Sequence, residues 1–193
     1  MKKNLGIIPT IYERRNNLNI IIEKKVYNLL RSCFKNYNII ILEDRYKLKL
    51  DLIISLGGNT LYSLEKTISN RYRSKLDKFY IKKAIKSKIP FLGICHGAQS
   101  LSNLFKFKIV KKKGHRRTRH KVFFNNNKSQ IVNSYHDYVI FKISKEFQKL
   151  GWTKDGSIEA FKHHKFPILG LMWHPERYRG IKKFDKIFIK KFL

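Results

Sequence analysis

Two short stretches of the chain hold the residue types that thiol chemistry needs. The first is Gly93-Ile94-Cys95-His96-Gly97, which follows an apolar run over residues 89–94 and precedes small and apolar residues. A strand that runs into Gly-x-Cys-x-Gly and then a helix has the layout of a nucleophile elbow, in which a tight turn exposes the central side chain. The sulfur would sit at a helix N-terminus, where partial positive charge and free N–H groups favour a thiolate and can hold a developing oxyanion. Taken alone, a cysteine after an apolar strand packs just as readily as a small buried hydrophobe. The second stretch, Leu171-Met172-Trp173-His174-Pro175-Glu176-Arg177, adds what the first lacks. A thiol enzyme needs an imidazole to take the proton and a carboxylate to orient it. His174 and Glu176 stand two residues apart, so an extended segment sends both side chains to one side. By itself His-Pro-Glu reads as a surface turn; joined to the elbow it predicts a relay from Glu176 through His174 to Cys95.

Residues so far apart in sequence meet only if strand ends bring them together. Residues 5–8 read as a short buried strand closed by Pro9, and residues 18–34 as a helix with Ile20, Val26, Leu29 and Leu30 on one side. Residues 38–42 and 50–56 are further strands, the latter ending in Gly57-Gly58-Asn59, where glycine permits unusual backbone angles. A helix over 75–88 and a strand over 89–94 continue the alternation, which indicates a parallel sheet covered on both faces. After about residue 106 the segments shorten: 108–112, 121–124, 130–133, 138–141, 157–161 and 168–172 read as antiparallel additions. Ile181, Phe184, Ile187, Phe188 and Phe192 have the spacing of a surface helix docked by one face. The expectation is an α/β fold with a mostly parallel central sheet and antiparallel strands in the C-terminal half, as one domain over residues 1–193.

Composition bounds the function. The 193 residues are 42% hydrophobic, enough for one sizeable core. Cys33 and Cys95 lie far apart, and Met-Lys-Lys leads into a short apolar segment interrupted by Pro9 and Glu13-Arg14-Arg15, not a signal peptide, so a reducing cytoplasm is expected. No window approaches the roughly 20 apolar residues of a membrane span. Lys and Arg number 43 against 13 Asp and Glu, a formal charge of +30 that attracts polyanions. A solvated, Lys-rich surface explains most of it, since no zinc-finger, helix-turn-helix or RNA-binding signature accompanies the charge. The one local cluster is Lys111-Lys112-Lys113-Gly114-His115-Arg116-Arg117-Thr118-Arg119-His120.

The run from Gly93 to Gln99 (Gly-Ile-Cys-His-Gly-Ala-Gln), together with Trp173-His174-Pro175-Glu176, resembles the class I glutamine amidotransferase superfamily, in particular its free-standing gamma-glutamyl hydrolase (peptidase C26-like) branch. Residues 52–59 look like that family's glycine-rich oxyanion loop, and residues 155–176 resemble its C-terminal stretch, so the likeness runs nearly end to end. An α/β-hydrolase would place its acid before a distant histidine, which this order does not fit. The resemblance implies a flavodoxin-like sheet, with Cys95 as nucleophile, His174 as base and then acid, and Glu176 fixing the imidazole. It implies an oxyanion hole from the N–H groups of Gly58 and His96, with Asn59 and Gln99 beside the glutamyl part of the substrate. Ser134, Tyr135 and His136 occupy a segment that helps bind the same group. The implied reaction forms a glutamyl thioester and hydrolyses it to glutamate. It needs no cofactor or metal, and the histidines show no recognisable ligand spacing.

The leaving group has three candidates. A glutaminase subunit would require a synthetase partner. A γ-glutamyl-γ-aminobutyrate type of substrate offers nothing for Arg116, Arg117 and Arg119 to grip, whereas a diphosphate suits guanidinium forks. Arg14 and Arg15 follow the first strand, at the edge where open α/β sheets bind ligands. A nucleotide-linked substrate is therefore favoured, and the size and basic loops resemble hydrolases acting on γ-glutamyl-CDP-amidate, which implies cleavage to cytidine diphosphoramidate and glutamate as in bacterial capsule phosphoramidate synthesis. Surface solvation is the alternative for each arginine. A non-catalytic module binding nucleic acid is the rival of another class, opposed by the intact Cys95, His174 and Glu176.

Overall fold

The computed structural model describes residues 2–125 and 127–193. Strand β1 (Lys3–Ile8) buries Leu5, Ile7 and Ile8 completely. The chain then folds into a hairpin, β2 (Thr10–Arg14) and β3 (Asn17–Ile21), where the sequence reading starts a helix. The cause is local. Arg15 and Asn16 both take positive φ, 48° and 63°, forming the two-residue turn whose twist matches paired strands. Beyond it Ile20 and Ile21 are β-branched and suit a strand. Helix α1 (Lys24–Cys33) follows, burying Val26, Leu29, Leu30 and Cys33 at helical spacing.

Strands β4 (Tyr37–Ile41) and β5 (Leu52–Ser55) lead to helix α2 (Ile68–Ser87). This helix starts earlier than its apolar pattern indicates because Thr67 caps it, the side chain accepting from the Asn70 N–H. Its early turns also bury Ser69, Asn70, Arg73 and Asp77, polar residues that a hydrophobic periodicity passes over. Strand β6 (Phe91–Ile94) and helix α3 (His96–Leu104) flank Cys95. The remaining strands are β7 (Lys108–Lys111), β8 (Arg116–Phe124), β9 (Ser129–Tyr135), β10 (Tyr138–Lys142), β11 (Phe147–Trp152), β12 (Ile158–His163) and β13 (Ile168–Leu171). A 3₁₀ turn, Pro175–Arg177, and helix α4 (Lys183–Phe192) end the chain. Strand β11 escapes the sequence reading because register shifts between Lys149 and Trp152 interrupt its alternation.

The main sheet runs β4-β1-β5-β6-β13-β12-β11-β8-β9, with β10 pairing β12 and β7. From β4 to β13 neighbours are parallel; beyond β13 they are antiparallel. This is the expected fold class. Strands β5, β6 and β13 are buried at every position, which is why they read as unbroken apolar runs. One core, containing Leu5, Ile54, Leu92 and Trp173, is covered by α1 and α4; the other, containing Ile53, Phe91 and Phe161, by α2. In α4 it is Ile189 that turns inward, whereas Ile187 is 56% exposed. Among the described residues no helix is long and apolar enough to cross a membrane. The carboxyl ends of β5, β6 and β13 lie side by side, and ligands bind at such ends in open α/β sheets.

Candidate active site

Cys95 joins β6 to α3 with φ 49° and ψ −97°, a conformation that non-glycine residues rarely adopt. Its N–H donates to the Leu171 carbonyl at 2.7 Å and its own carbonyl accepts from the Gln99 N–H at 2.9 Å, so strand and helix both hold the bend. The flanking glycines are steric requirements. A Cβ on Gly97 would lie 2.6 Å from Ser55 Oγ, and one on Gly93 would lie 2.6 Å from the Gly97 carbonyl carbon. The bend places Cys95 at the wall of a cavity of about 270 Å³ that it shares with Gly58, Gln99, Tyr135, His136 and His174.

His174 Nδ1 lies 2.6 Å from Glu176 Oε1, and since a carboxylate accepts, this nitrogen carries the hydrogen. The carboxylate arrives through the 3₁₀ turn, which corrects the expectation of an extended His174–Glu176 segment. Asn133 fixes the histidine backbone from across the sheet, its Oδ1 accepting from the His174 N–H and its Nδ2 donating to the His174 carbonyl, both at 2.8 Å. Burial works against the imidazolium, but the Glu176 carboxylate and the Cys95 sulfur outweigh it and push the His174 pKa up to about 10. Among the described residues His174 Nε2 has no hydrogen-bond partner, which leaves it to exchange a proton with the sulfur or a reacting group. Such an arrangement can sustain a thiolate–imidazolium pair.

Opposite the sulfur, the Gly57–Asn59 loop is anchored to the start of β2. Thr10 Oγ1 donates to the Gly57 carbonyl at 2.7 Å, and the Asn59 amide exchanges hydrogen bonds of 3.0 and 2.8 Å with the Ile11 backbone. Asn59 also contacts Asn70, so its side chain anchors the loop, and the residue itself lines the Cys95 cavity. Gly58 takes φ 106° beside Cys95. His96 starts α3, and its ring is fully buried: Nδ1 lies 2.9 Å from the Asn59 carbonyl and Nε2 2.9 Å from Asp77. Asp77 also accepts from Arg73, Ser55 and Ser100 at 3.1, 2.7 and 2.8 Å. Burial opposes its charge, yet the Arg73 guanidinium and His96 hold its carboxyl well below the usual carboxylate range. Arg73 and Asp77 have no counterpart in the sequence reading.

The other expected residues separate into three groups. Gln99, Tyr135 and His136 line the cavity, with Gln99 Nε2 donating to the Tyr138 carbonyl at 3.0 Å. Ser134 does not; its buried hydroxyl donates to the His115 carbonyl. Arg116 lines the cavity and pairs with Asp137 at 3.3 Å, whereas Arg117 and Arg119 line an adjoining concavity of about 620 Å³ with Asn133, Tyr178 and Arg177. Tyr135 and Arg177 belong to both spaces, and the Arg177 guanidinium lies 4.8 Å above the Tyr135 ring. The sequence reading overlooks Arg177, although it directly follows Glu176. Arg14 and Arg15 are exposed at the β2–β3 turn and line neither of these two spaces. The histidines form a grouping that their spacing does not announce: His115 and His136 meet Glu159 with one potential ligand atom each, all within 4.8 Å.

Residues 30–192 match the glutamine amidotransferase class-I family. Gamma-glutamyl-CDP-amidate hydrolase of Campylobacter jejuni is 35% identical over 162 residues, covering 81% of this chain and 79% of its own length. The carbamoyl phosphate synthase small chain of Cyanidium caldarium is 33% identical over 116 residues, 58% of this chain but only 28% of its own length. A glutamine amidotransferase from Thermotoga maritima, at 17% identity, shares the fold with a TM-score of 0.64 over 91% of this chain and 77% of its own. The chain belongs to the class I glutamine amidotransferase family and is an enzyme of its amidotransferase and γ-glutamyl hydrolase type.

Proposed function

We propose that the protein hydrolyses a γ-glutamyl amide through a thioester on Cys95, and that the amide nitrogen belongs to a nucleoside diphosphoramidate, as in γ-glutamyl-CDP-amidate. The Cys95 sulfur attacks the γ-carbonyl carbon while the N–H groups of Gly58 and His96 receive the oxyanion. The tetrahedral adduct expels the amidate nitrogen, which takes its proton from His174, and a glutamyl thioester remains. Water then attacks the thioester, giving a proton to His174, and glutamate leaves as the sulfur returns to the thiolate. Glu176 keeps the imidazole in the tautomer and orientation that both steps use. Gln99, Tyr135 and His136 frame the glutamyl group, with the backbone at Ser134 behind them.

One observation carries the nucleotide reading: the Cys95 cavity opens beside a concavity walled by Arg117, Arg119 and Arg177. Arg177 stands between the two with a buried Nε that has no hydrogen-bond partner among the described residues. A diphosphate attached to the scissile nitrogen would lie where these guanidinium groups converge. The similarity to gamma-glutamyl-CDP-amidate hydrolase supports the same choice and with it a place in capsule phosphoramidate synthesis. The free thiols Cys33 and Cys95 suit a reducing cytoplasm. The similarity to a carbamoyl phosphate synthase small chain favours a second reading, a glutaminase that feeds a synthetase partner. Glutamate release from glutamine, γ-glutamyl-γ-aminobutyrate and γ-glutamyl-CDP-amidate under one set of conditions separates these. The nucleotide conjugate should be preferred by at least about 100-fold in kcat/KM, a gap of two charge-assisted contacts. Equal turnover of glutamine would overturn the nucleotide assignment, and activity in Cys95→Ala would overturn the thioester.

A further inference from the structure

Behind the substrate wall, three histidines from separate segments surround one buried carboxylate: His115 ahead of β8, His120 within it, His136 after β9, and Glu159 on β12. Glu159 is completely buried, and His115 and His136 are nearly so. Glu159 Oε1 lies 3.6 Å from His115 Nδ1 and 3.6 Å from His136 Nε2, while Oε2 lies 3.4 Å from His120 Nε2. None of these atoms has a hydrogen-bond partner among the described residues. Buried polar atoms left in that condition are rare and call for an explanation.

The outer nitrogens supply it. His115 Nε2 lies 2.9 Å from Asp155 Oδ2, and His136 Nδ1 lies 3.0 Å from the Tyr138 carbonyl. Both partners only accept, so each outer nitrogen carries its ring's hydrogen. In their neutral forms these two rings therefore aim inner lone pairs at the Glu159 Oε1 lone pairs, which repel unless positive charge lies between them. Protonating both rings would bring two imidazolium ions within 3.6 Å of one carboxylate oxygen in a dry site, which burial disfavours. A single divalent ion set between His115, His136 and Glu159 satisfies their inner atoms at once. Ligand arms of about 2.0–2.1 Å in tetrahedral array put neighbouring ligand atoms about 3.3–3.4 Å apart; the two contacts to Glu159 Oε1 are 3.6 Å, and the three ligand atoms all lie within 4.8 Å of one another. Asp155 is itself positioned by Thr153, by the Ser157 N–H and by Lys112, giving the oriented carboxylate–histidine pair typical of metal ligands.

We propose that His115, His136 and Glu159 bind one zinc-class divalent transition-metal ion. The ligand set is nitrogen and oxygen and its three residues are buried, so the role assigned to the ion is structural. It ties β8 and β12 to the 135–138 turn, which carries Tyr135, His136 and Tyr138 to the cavity wall. The proposal does not depend on the identity of the leaving group.

The test is titration of the untagged, chelator-stripped chain with Zn²⁺ against a chromophoric competitor, with Co²⁺ absorption and X-ray absorption as spectroscopic readouts. One ion per chain is expected, with a Kd below about 1 μM and nitrogen and oxygen neighbours only, at about 2.0–2.1 Å. Saturation should raise the Tm by about 5–10 °C. Cys95→Ser should keep the site, whereas His136→Ala and Glu159→Gln should weaken it at least about 100-fold. Should those variants fold poorly, the wild-type titration and its spectroscopic readouts still decide. Absence of a Zn²⁺-dependent Tm shift, affinity unchanged in Glu159→Gln, or a sulfur neighbour abolished by Cys95→Ser would each overturn the assignment.

Discussion

Glu176→Gln isolates the carboxylate that poises the imidazole. The amide has the same shape and can still meet His174 Nδ1, now 2.6 Å from Glu176 Oε1, but it brings no charge. In the folded protein burial lowers the His174 pKa, and Glu176 and Cys95 more than reverse this, lifting it from 6.5 to about 10. That net bias toward imidazolium is on the order of 5 kcal/mol. If Glu176 supplies about half of it, the substitution costs roughly 2–3 kcal/mol, a loss of about 10²-fold in kcat. KM should change little, because Glu176 does not line the substrate cavity. The sign of the pH effect follows directly: the imidazolium loses its proton at lower pH in the variant, so the alkaline limb of kcat moves down by at least about one unit. Stability moves with it. His174 contributes stability that is full below its ordinary pKa and is lost as pH rises through about 10, and this loss should set in earlier in the variant. Steady-state kinetics across pH, with melting curves on the same samples, measure both. A variant with kcat within threefold of wild type and an unmoved alkaline limb would refute the relay.

Arg177→Ala should lower kcat/KM for γ-glutamyl-CDP-amidate by about 10- to 100-fold, the value of one charge-assisted phosphate contact, while glutamine turnover falls less than about threefold; equal losses would remove the diphosphate argument. Gly97→Ala forces a Cβ against Ser55 Oγ and the Ser55 carbonyl, so β5 and α3 must part. The expected cost is about 1–3 kcal/mol, seen as a lower Tm, with activity falling further because Cys95 moves with α3. Asp185 accepts from Trp173 Nε1 at 2.9 Å through Oδ1, while burial pushes its pKa up to about 6. A carboxyl raised in the folded state destabilises above that pH and has no effect once pH falls below its unfolded value. Asp185→Asn should therefore raise stability by about 1–2 kcal/mol at pH 7–8, with the gain shrinking as pH falls toward 4 in thermal melts.

What the sequence discloses and what it conceals divide along the reach of the interactions. The elbow is legible because its requirement is local: Gly93 and Gly97 must be small for one strand and one helix to touch across Cys95. The parallel strands are legible because burial on two faces leaves no polar position in Leu52–Ser55 other than Ser55. Arg73 is hidden for the opposite reason. Its partners are the carbonyls of Pro9 and Leu56, the Ser55 hydroxyl and the Asp77 carboxylate, and no window of an apolar pattern holds them together. Glu159 reads as one more polar residue in a strand until three histidines arrive from 23 to 44 residues upstream (159 − 136 and 159 − 115). The hairpin that carries Arg14 and Arg15 is hidden for a local reason, the positive-φ turn at Arg15 and Asn16, which an apolar pattern does not announce.

Strand register is the step that links this fold to its chemistry. Ser55 pairs with Gly93, Gly93 with Gly170, and Ile94 with Leu171, so the three strands end level and release the Gly57 loop, Cys95 and the His174 segment at one height. The Cys95 N–H bond to the Leu171 carbonyl continues that register by one more rung, from the ladder into the bend itself. A slip of one residue between β6 and β13 would break this rung and send every side chain of the slipped strand to the other face. Because β5, β6 and β13 are buried on both faces, such a slip would disturb both cores at once. The packing that makes these strands apolar therefore also aligns sulfur, imidazole and oxyanion loop, and a mutation that loosens the ladder should cost activity before it costs the fold.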